Sequence, residues 1–331
     1  MYFPVINFIK TKYQPLLGFF LICIILYFTD LDILINNLVR SNMLLLLFAL
    51  IALLVSQLIT VFRWKIILQT LNYQIKYLDL LNITLQSNLL LNASPFGTLL
   101  GETWRLTMLK KIKKTNLSDA IFSVFFDKLL GLTSTAIISI LIFTLLLLSA
   151  QFQLEIDLFH KAVLLKESFI TNYTYLLVTL YFFSLIVIIL LPLITRSILS
   201  FLVKIFNLNG ELKLNFLIYQ RTLAQKFPIK LTFISLLVQF LINLSILLCF
   251  LSVQVEMNFV ALFILMGGIS VICNLPISLG GFGAREAAIL FFFIPLGYNQ
   301  EDLLSGSILF GILLFLISFL GFFSWFYGIK K

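Results

Sequence analysis

The chain has 331 residues, of which 61% are hydrophobic and 11% charged, against roughly 45–50% and about 25% in soluble domains. This composition excludes a soluble globular protein and points to an integral membrane protein. The net charge of +9, from 23 Lys+Arg and 14 Asp+Glu, fits basic flanks on spanning helices and calls for no nucleic-acid partner.

A spanning helix needs about 20 apolar residues. Apolar runs near 15–29, 43–62, 78–100, 120–149, 174–195, 230–252, 258–277, 286–297 and 303–327 predict an all-α polytopic bundle of about 7–9 membrane segments. The first run, Leu16 to Phe28, has no small-residue cleavage site after it and reads as a retained helix. Its outer end, "FTDLD" (Phe28 to Asp32), is an ordinary external loop or an acidic pair of the kind polyprenyl-phosphate-sugar transferases carry. Cys23, Cys249 and Cys273 lie in apolar runs and suggest neither a disulfide framework nor a metal site. The single histidine, His160, speaks against a His-based triad.

Charge placement sets the topology. Arg63, Lys65 and Lys76 follow the second run, and Arg105, Lys110, Lys111, Lys113 and Lys114 follow the third. The positive-inside rule then puts both termini in the cytoplasm of a plasma-membrane protein, and both flanks of the 78–100 run as well. That run must enter and return, or be a broken helix buried against its neighbours. The same parity problem recurs at 258–297, because Gln254 to Asn258 and also Glu301 and Asp302 belong outside. Non-helical backbone at membrane depth survives only when buried in protein or lining a cavity.

Both anomalous runs carry helix breakers. "NASPFGTLLGETWR" (Asn92 to Arg105) and "NLPISLGGFGARE" (Asn274 to Glu286) share an order of Asn, Pro, Gly, then Gly followed by Glu. The structural breaks are Pro95, Gly97 and Gly101 in the first, and Pro276, Gly280, Gly281 and Gly283 in the second. One interrupted segment in each half of a chain is the pattern of an internal repeat around a transporter site.

The candidate substrate-binding residues lie at these breaks and beside them. Glu102 with Arg105 and Glu286 with Arg285 are carboxylates and cations at membrane depth, where each is costly unless paired or hydrated. They either meet a zwitterionic or anionic headgroup or staple the kinks as internal ion pairs. Asn92 and Asn274 line the same site or cap the broken ends. Asp127 and Lys128, in "FSVFFDKLLGL", are adjacent on a helix, do not face each other, and need separate partners or a path to water. Lys110, Lys111, Lys113 and Lys114 form a basic cluster that fixes topology or contacts anionic lipid headgroups. Trp325 and Tyr327 fit an interfacial belt.

Three of these stretches occur in an order that resembles the lysylphosphatidylglycerol synthase transmembrane region family, a flippase-like membrane family. They are Pro95–Gly101–Glu102–Arg105, "FDKLLGL" and "PISLGGFGAREAA". The resemblance covers roughly residues 10–327, a single membrane domain with no soluble domain. Members best known in the family join this unit to a cytoplasmic aminoacyltransferase domain, so the resemblance implies the flippase half without the synthase half. Glu102, Arg105, Gly280, Gly281, Gly283 and Glu286 stand at motif positions, and Gly131 stands where many members carry an acid.

The expected function is translocation of a phospholipid or lipid-linked headgroup, such as aminoacylated phosphatidylglycerol, between leaflets. Membrane lipids are the expected partners, with a separately encoded lipid synthase or glycosyltransferase as a further one. No cofactor is expected, because a downhill flip requires none and no P-loop is present. The rivals are a lipid-modifying transferase using Asp30 and Asp32, and a scaffold for a separate synthase.

Overall fold

The computed structural model describes residues 27, 29–93, 97–113, 115–152, 228–274 and 282–326. The first apolar run as far as Leu26 and the run near 174–195 lie outside the described residues, as do Pro95, Lys114, Pro276, Gly280 and Gly281. The described chain is helical: α1 (Leu31–Val39), α2 (Met43–Thr70), α3 (Tyr77–Ala93), α4 (Gly97–Lys113), α5 (Leu117–Phe152), α6 (Pro228–Ser252), α7 (Phe259–Asn274), α8 (Ala284–Phe293) and α9 (Gln300–Phe326). Among the described residues four stretches are long and apolar enough to cross a membrane: Met43–Thr70, Asp119–Leu145, Lys230–Ser252 and Gln300–Trp325.

These four helices face outward with hydrocarbon. On α2, Leu44, Leu47, Ile51, Val55, Leu58 and Phe62 recur at helical spacing and are exposed, while Ala49, Leu53, Ser56 and Trp64 turn inward. In water that stripe would be a liability. In lipid it costs nothing, because the chains outside are as apolar as the side chains.

Contacts between loops sort the bundle into two ends. At one end Asn42 N donates to Ser252 O at 2.8 Å, Asn37 to Asp302 at 2.9 Å, and Asn258 N to the Tyr298 hydroxyl at 3.0 Å. This end gathers Asp30, Asp32, Glu256, Glu301 and Asp302 against Arg40. At the other end the Tyr73 hydroxyl donates to Asp119 at 2.7 Å and accepts from Asn116 N at 3.3 Å. Burial and the bond to Asp119 hold that phenol above its usual 10.0, so it stays a donor. Lys76, Lys110, Lys111 and Lys230 belong to this second, basic end.

The two interrupted runs are helical hairpins. In the first, Ser87 of α3 donates to Gly101 O of α4 at 2.9 Å, and Trp104 donates to Gln86 at 3.0 Å. Those pairings are antiparallel, so α3 leaves the basic end and α4 returns to it. A β-carbon on Gly101 would lie 2.9 Å from the Ser87 carbonyl, which is why the two backbones can approach there. The second hairpin, α7 and α8, starts at Asn258 and ends beside Tyr298, both at the acidic end. The two hairpins therefore enter from opposite ends, the arrangement an inverted repeat produces.

Both hairpins rest on α9. Asn92, at the tip of the first, donates to Ser318 at 2.6 Å. Phe282, at the tip of the second, lies against Gly311. Seven residues separate Gly311 from Ser318, about 10 Å along one face of the helix. Separate cores hold each hairpin. Trp64, Leu80, Ile83, Leu109 and Val124 pack at the basic end. A larger cluster around Phe250, Phe263, Phe293 and Phe310 packs toward the acidic end.

Two expectations change here. Asp30 is not part of a plain loop. Its carboxylate accepts from Asp32 N at 3.0 Å and Ile33 N at 3.3 Å and caps α1. Arg63 is not a flank of the second run either, because α2 continues to Thr70 and buries it.

Candidate functional site

The first charged cluster sits where α2, α4, α5 and α6 meet. Arg63 comes from α2, seven residues before its end and about 10 Å along the helix. Its Nε donates to Asp127 Oδ1 at 2.8 Å, its Nη1 to Ser235 Oγ at 3.0 Å and its Nη2 to the Asp127 carbonyl at 3.1 Å. Arg105, on α4, donates to the other Asp127 oxygen at 3.1 Å. A buried carboxylate is tolerated only when paired and hydrogen-bonded, and Asp127 meets that condition with a guanidinium on each oxygen.

Arg105 also stacks its guanidinium 4.0 Å from the centre of the buried Trp64 ring, a cation–π contact of the stronger, desolvated kind. Glu102 lies one turn earlier on α4. Its carboxylate is 3.8 Å from Arg105 and 3.5 Å from Lys128. Here the cluster opens: the Lys128 and Glu102 side chains are 34% and 25% exposed, against 4% for Asp127. Among the described residues Arg105 Nε and Glu102 Oε2 are buried atoms with no hydrogen-bond partner.

The second cluster is built on α8. Glu286 Oε1 accepts from Arg285 at 2.6 Å and from Ser307 of α9 at 2.9 Å, and its Oε2 accepts from Gly283 N at 2.6 Å. That last bond closes the N-terminus of the helix. Gly283 has φ +83°, in the region that favours glycine. Arg285 also donates to Ser307 at 3.1 Å, and its guanidinium lies 5.0 Å from the Phe282 ring. Arg285 and Glu286 thus satisfy each other as a staple holding the hairpin to α9.

The predicted residues fall into separate groups. Glu102, Arg105, Asp127 and Lys128 come together. Arg285 and Glu286 form their own pair, and among the described residues no hydrogen bond or ion pair joins the two groups. Asn92 binds α9. Asn274 ends α7. Lys110 and Lys111 are exposed on the last turn of α4, which reaches Lys113. Arg63, Ser235 and Trp64 were not among the expected site residues. The signal for Arg63 was present, since "IILQT" after it extends the apolar run, but an arginine there also satisfies the positive-inside pattern.

The family model described as the lysylphosphatidylglycerol synthase TM region matches residues 15–321. The chain belongs to that family. Both hairpins and both charged clusters lie inside the matched region, and membership in the lysylphosphatidylglycerol synthase TM region family supports a multi-pass membrane protein with a lipid-related role. No curated protein matches the chain in sequence.

Proposed function

We propose that this chain moves a phospholipid or a lipid-linked headgroup between the leaflets of the plasma membrane, with its basic end toward the cytoplasm. The observation that carries the reading is the first cluster. Ionisable groups within a membrane bundle are functional-site candidates by default, and this set runs from a half-open rim at Glu102 and Lys128 to a sealed base at Asp127 and Arg63. Family membership supports the lipid connection. Two hairpins that enter from opposite ends and share α9 support a route with access from either face.

On this reading the headgroup leaves the interface near Lys110 and Lys111, meets Glu102, Lys128 and Arg105, and passes the hairpin tips while its acyl chains stay in lipid. Desolvation of the headgroup is the main cost, and the fixed charges offset it. A separately encoded synthase would supply the lipid.

The test is transbilayer movement of fluorescent phosphatidylglycerol, aminoacylated phosphatidylglycerol and a polyprenyl-phosphate sugar in liposomes holding purified protein. Headgroup-dependent movement that is lost in Glu102→Gln is the expected result. Movement at the wild-type rate in a folded Glu102→Gln protein would rule out this mechanism.

A further inference from the structure

Among the described residues the first cluster is not electroneutral. It holds three cations, Arg63, Arg105 and Lys128, against two carboxylates, Glu102 and Asp127. Both oxygens of Asp127 are already taken by the arginines. Glu102 stands between Lys128 and Arg105 at 3.5 and 3.8 Å and can neutralise only one of them. One positive charge is left over between the half-open rim and the buried Asp127, and Arg105 Nε has no acceptor among the described residues. By contrast the Arg285–Glu286 pair is neutral and mutually hydrogen-bonded. The surplus belongs to one hairpin only.

Gly131 explains why the surplus persists. It lies one turn beyond Asp127 on α5. Among the described residues a β-carbon there would have Arg63 Nη2 as its nearest neighbour, at 4.0 Å, with no other atom inside that distance. The β-carbon of an acidic residue fits there, in ordinary contact with Arg63, and glycine supplies no acid.

We infer that this site selects headgroups by charge, taking a lipid-borne phosphate monoanion in preference to a zwitterion and rejecting a headgroup with a net positive charge. A phosphodiester monoanion brings the cluster to neutrality and gives Arg105 and Lys128 an acceptor. A zwitterionic headgroup leaves the surplus in place, and a cationic one adds to it, which costs most where the dielectric is low. Gly131 is then a specificity-determining position, although it touches no headgroup itself. The inference rests on the translocation reading for the step after binding, but the binding order stands apart from it.

The experiment measures binding to the full-length protein in detergent by calorimetry. The probes are dihexanoyl phosphatidylglycerol, dihexanoyl phosphatidylcholine, dihexanoyl lysyl-phosphatidylglycerol and glycerol 1-phosphate. Close charge pairs in desolvated sites couple strongly enough that phosphatidylglycerol should bind roughly tenfold more tightly than phosphatidylcholine, with the lysyl lipid weakest. Gly131→Asp should erase that order and Gly131→Asn should keep it. Should Gly131→Asp fail to fold, Lys128→Gln removes the same charge and should flatten the preference.

Equal binding of all three lipids, or an unchanged order in Gly131→Asp, would overturn the inference. Glycerol 1-phosphate binding as tightly as phosphatidylglycerol would overturn its lipid part. Liposome movement of the same lipids separates the two readings. Lipids bound in charge order but never moved would sink translocation and leave the selectivity standing. Lipids moved without regard to charge would do the reverse.

Discussion

Arg63 Nε donates to Asp127 Oδ1 at 2.8 Å, and the two side chains are only 5% and 4% exposed. One carboxylate therefore holds α2 to α5 and, through its other oxygen, to α4. Removing one partner of a buried pair costs about 3–5 kcal/mol because the other charge is left uncompensated. Asp127→Ala strands two guanidinium groups and should lose at least that much. Thermal unfolding in detergent checks it, and a midpoint within a degree or two of wild type would refute the account of Asp127.

Glycines on the bundle should differ sharply in tolerance. At Gly321 a β-carbon would run into the Leu85 carbonyl of α3, so Gly321→Val should push the first hairpin off α9 and cost roughly 1–3 kcal/mol or more. Gly131→Ala meets nothing closer than 4.0 Å among the described residues and removes helix-interior glycine entropy, for a gain of about 0.5–1 kcal/mol. Paired melting curves of the two variants read the contrast directly.

The tip contact can be trapped. With Cys23, Cys249 and Cys273 replaced by alanine, Asn92→Cys and Ser318→Cys should be bridged by a short bis-thiol reagent, since the native side chains are 2.6 Å apart. Mass spectrometry of the digested protein would show the linked peptides. Absence of the link, with both thiols reactive alone, would mean the hairpin does not reach the middle of α9.

The division into ends predicts labelling. Lys76→Cys and Lys111→Cys lie on the hairpin's own end and are exposed, as are Asp32→Cys and Asn299→Cys at the other. In sealed vesicles a membrane-impermeant thiol reagent should reach the first two from one side and the second two from the opposite side. Lys76 and Lys111 labelled from different sides would make the 77–113 segment a crossing instead of a hairpin.

Much of this architecture is legible in the residues. Breakers inside apolar runs flanked by like charge, as in "NASPFGTLLGE", leave a return or a buried broken helix, and the antiparallel bonds between α3 and α4 select the return. Arg63 is harder, because a cation near a helix end is required by topology whether or not it binds anything. Its partner Asp127 is 64 positions away, and no local pattern links them. Arg285 and Glu286 mark a break in the sequence but not their use. Only the position of Ser307, a helix away, shows that the pair is tied to α9. Asp30 reads equally as a reactive acid or a cap until α1 is seen to begin beside it.

That α9 carries both tips, Asn92 at Ser318 and Phe282 at Gly311, makes it a common axle. Neither hairpin can swing without loading the same two turns of helix. A shift of one tip along that face is felt by the other, so the two hairpins are coupled through about 10 Å of a single helix.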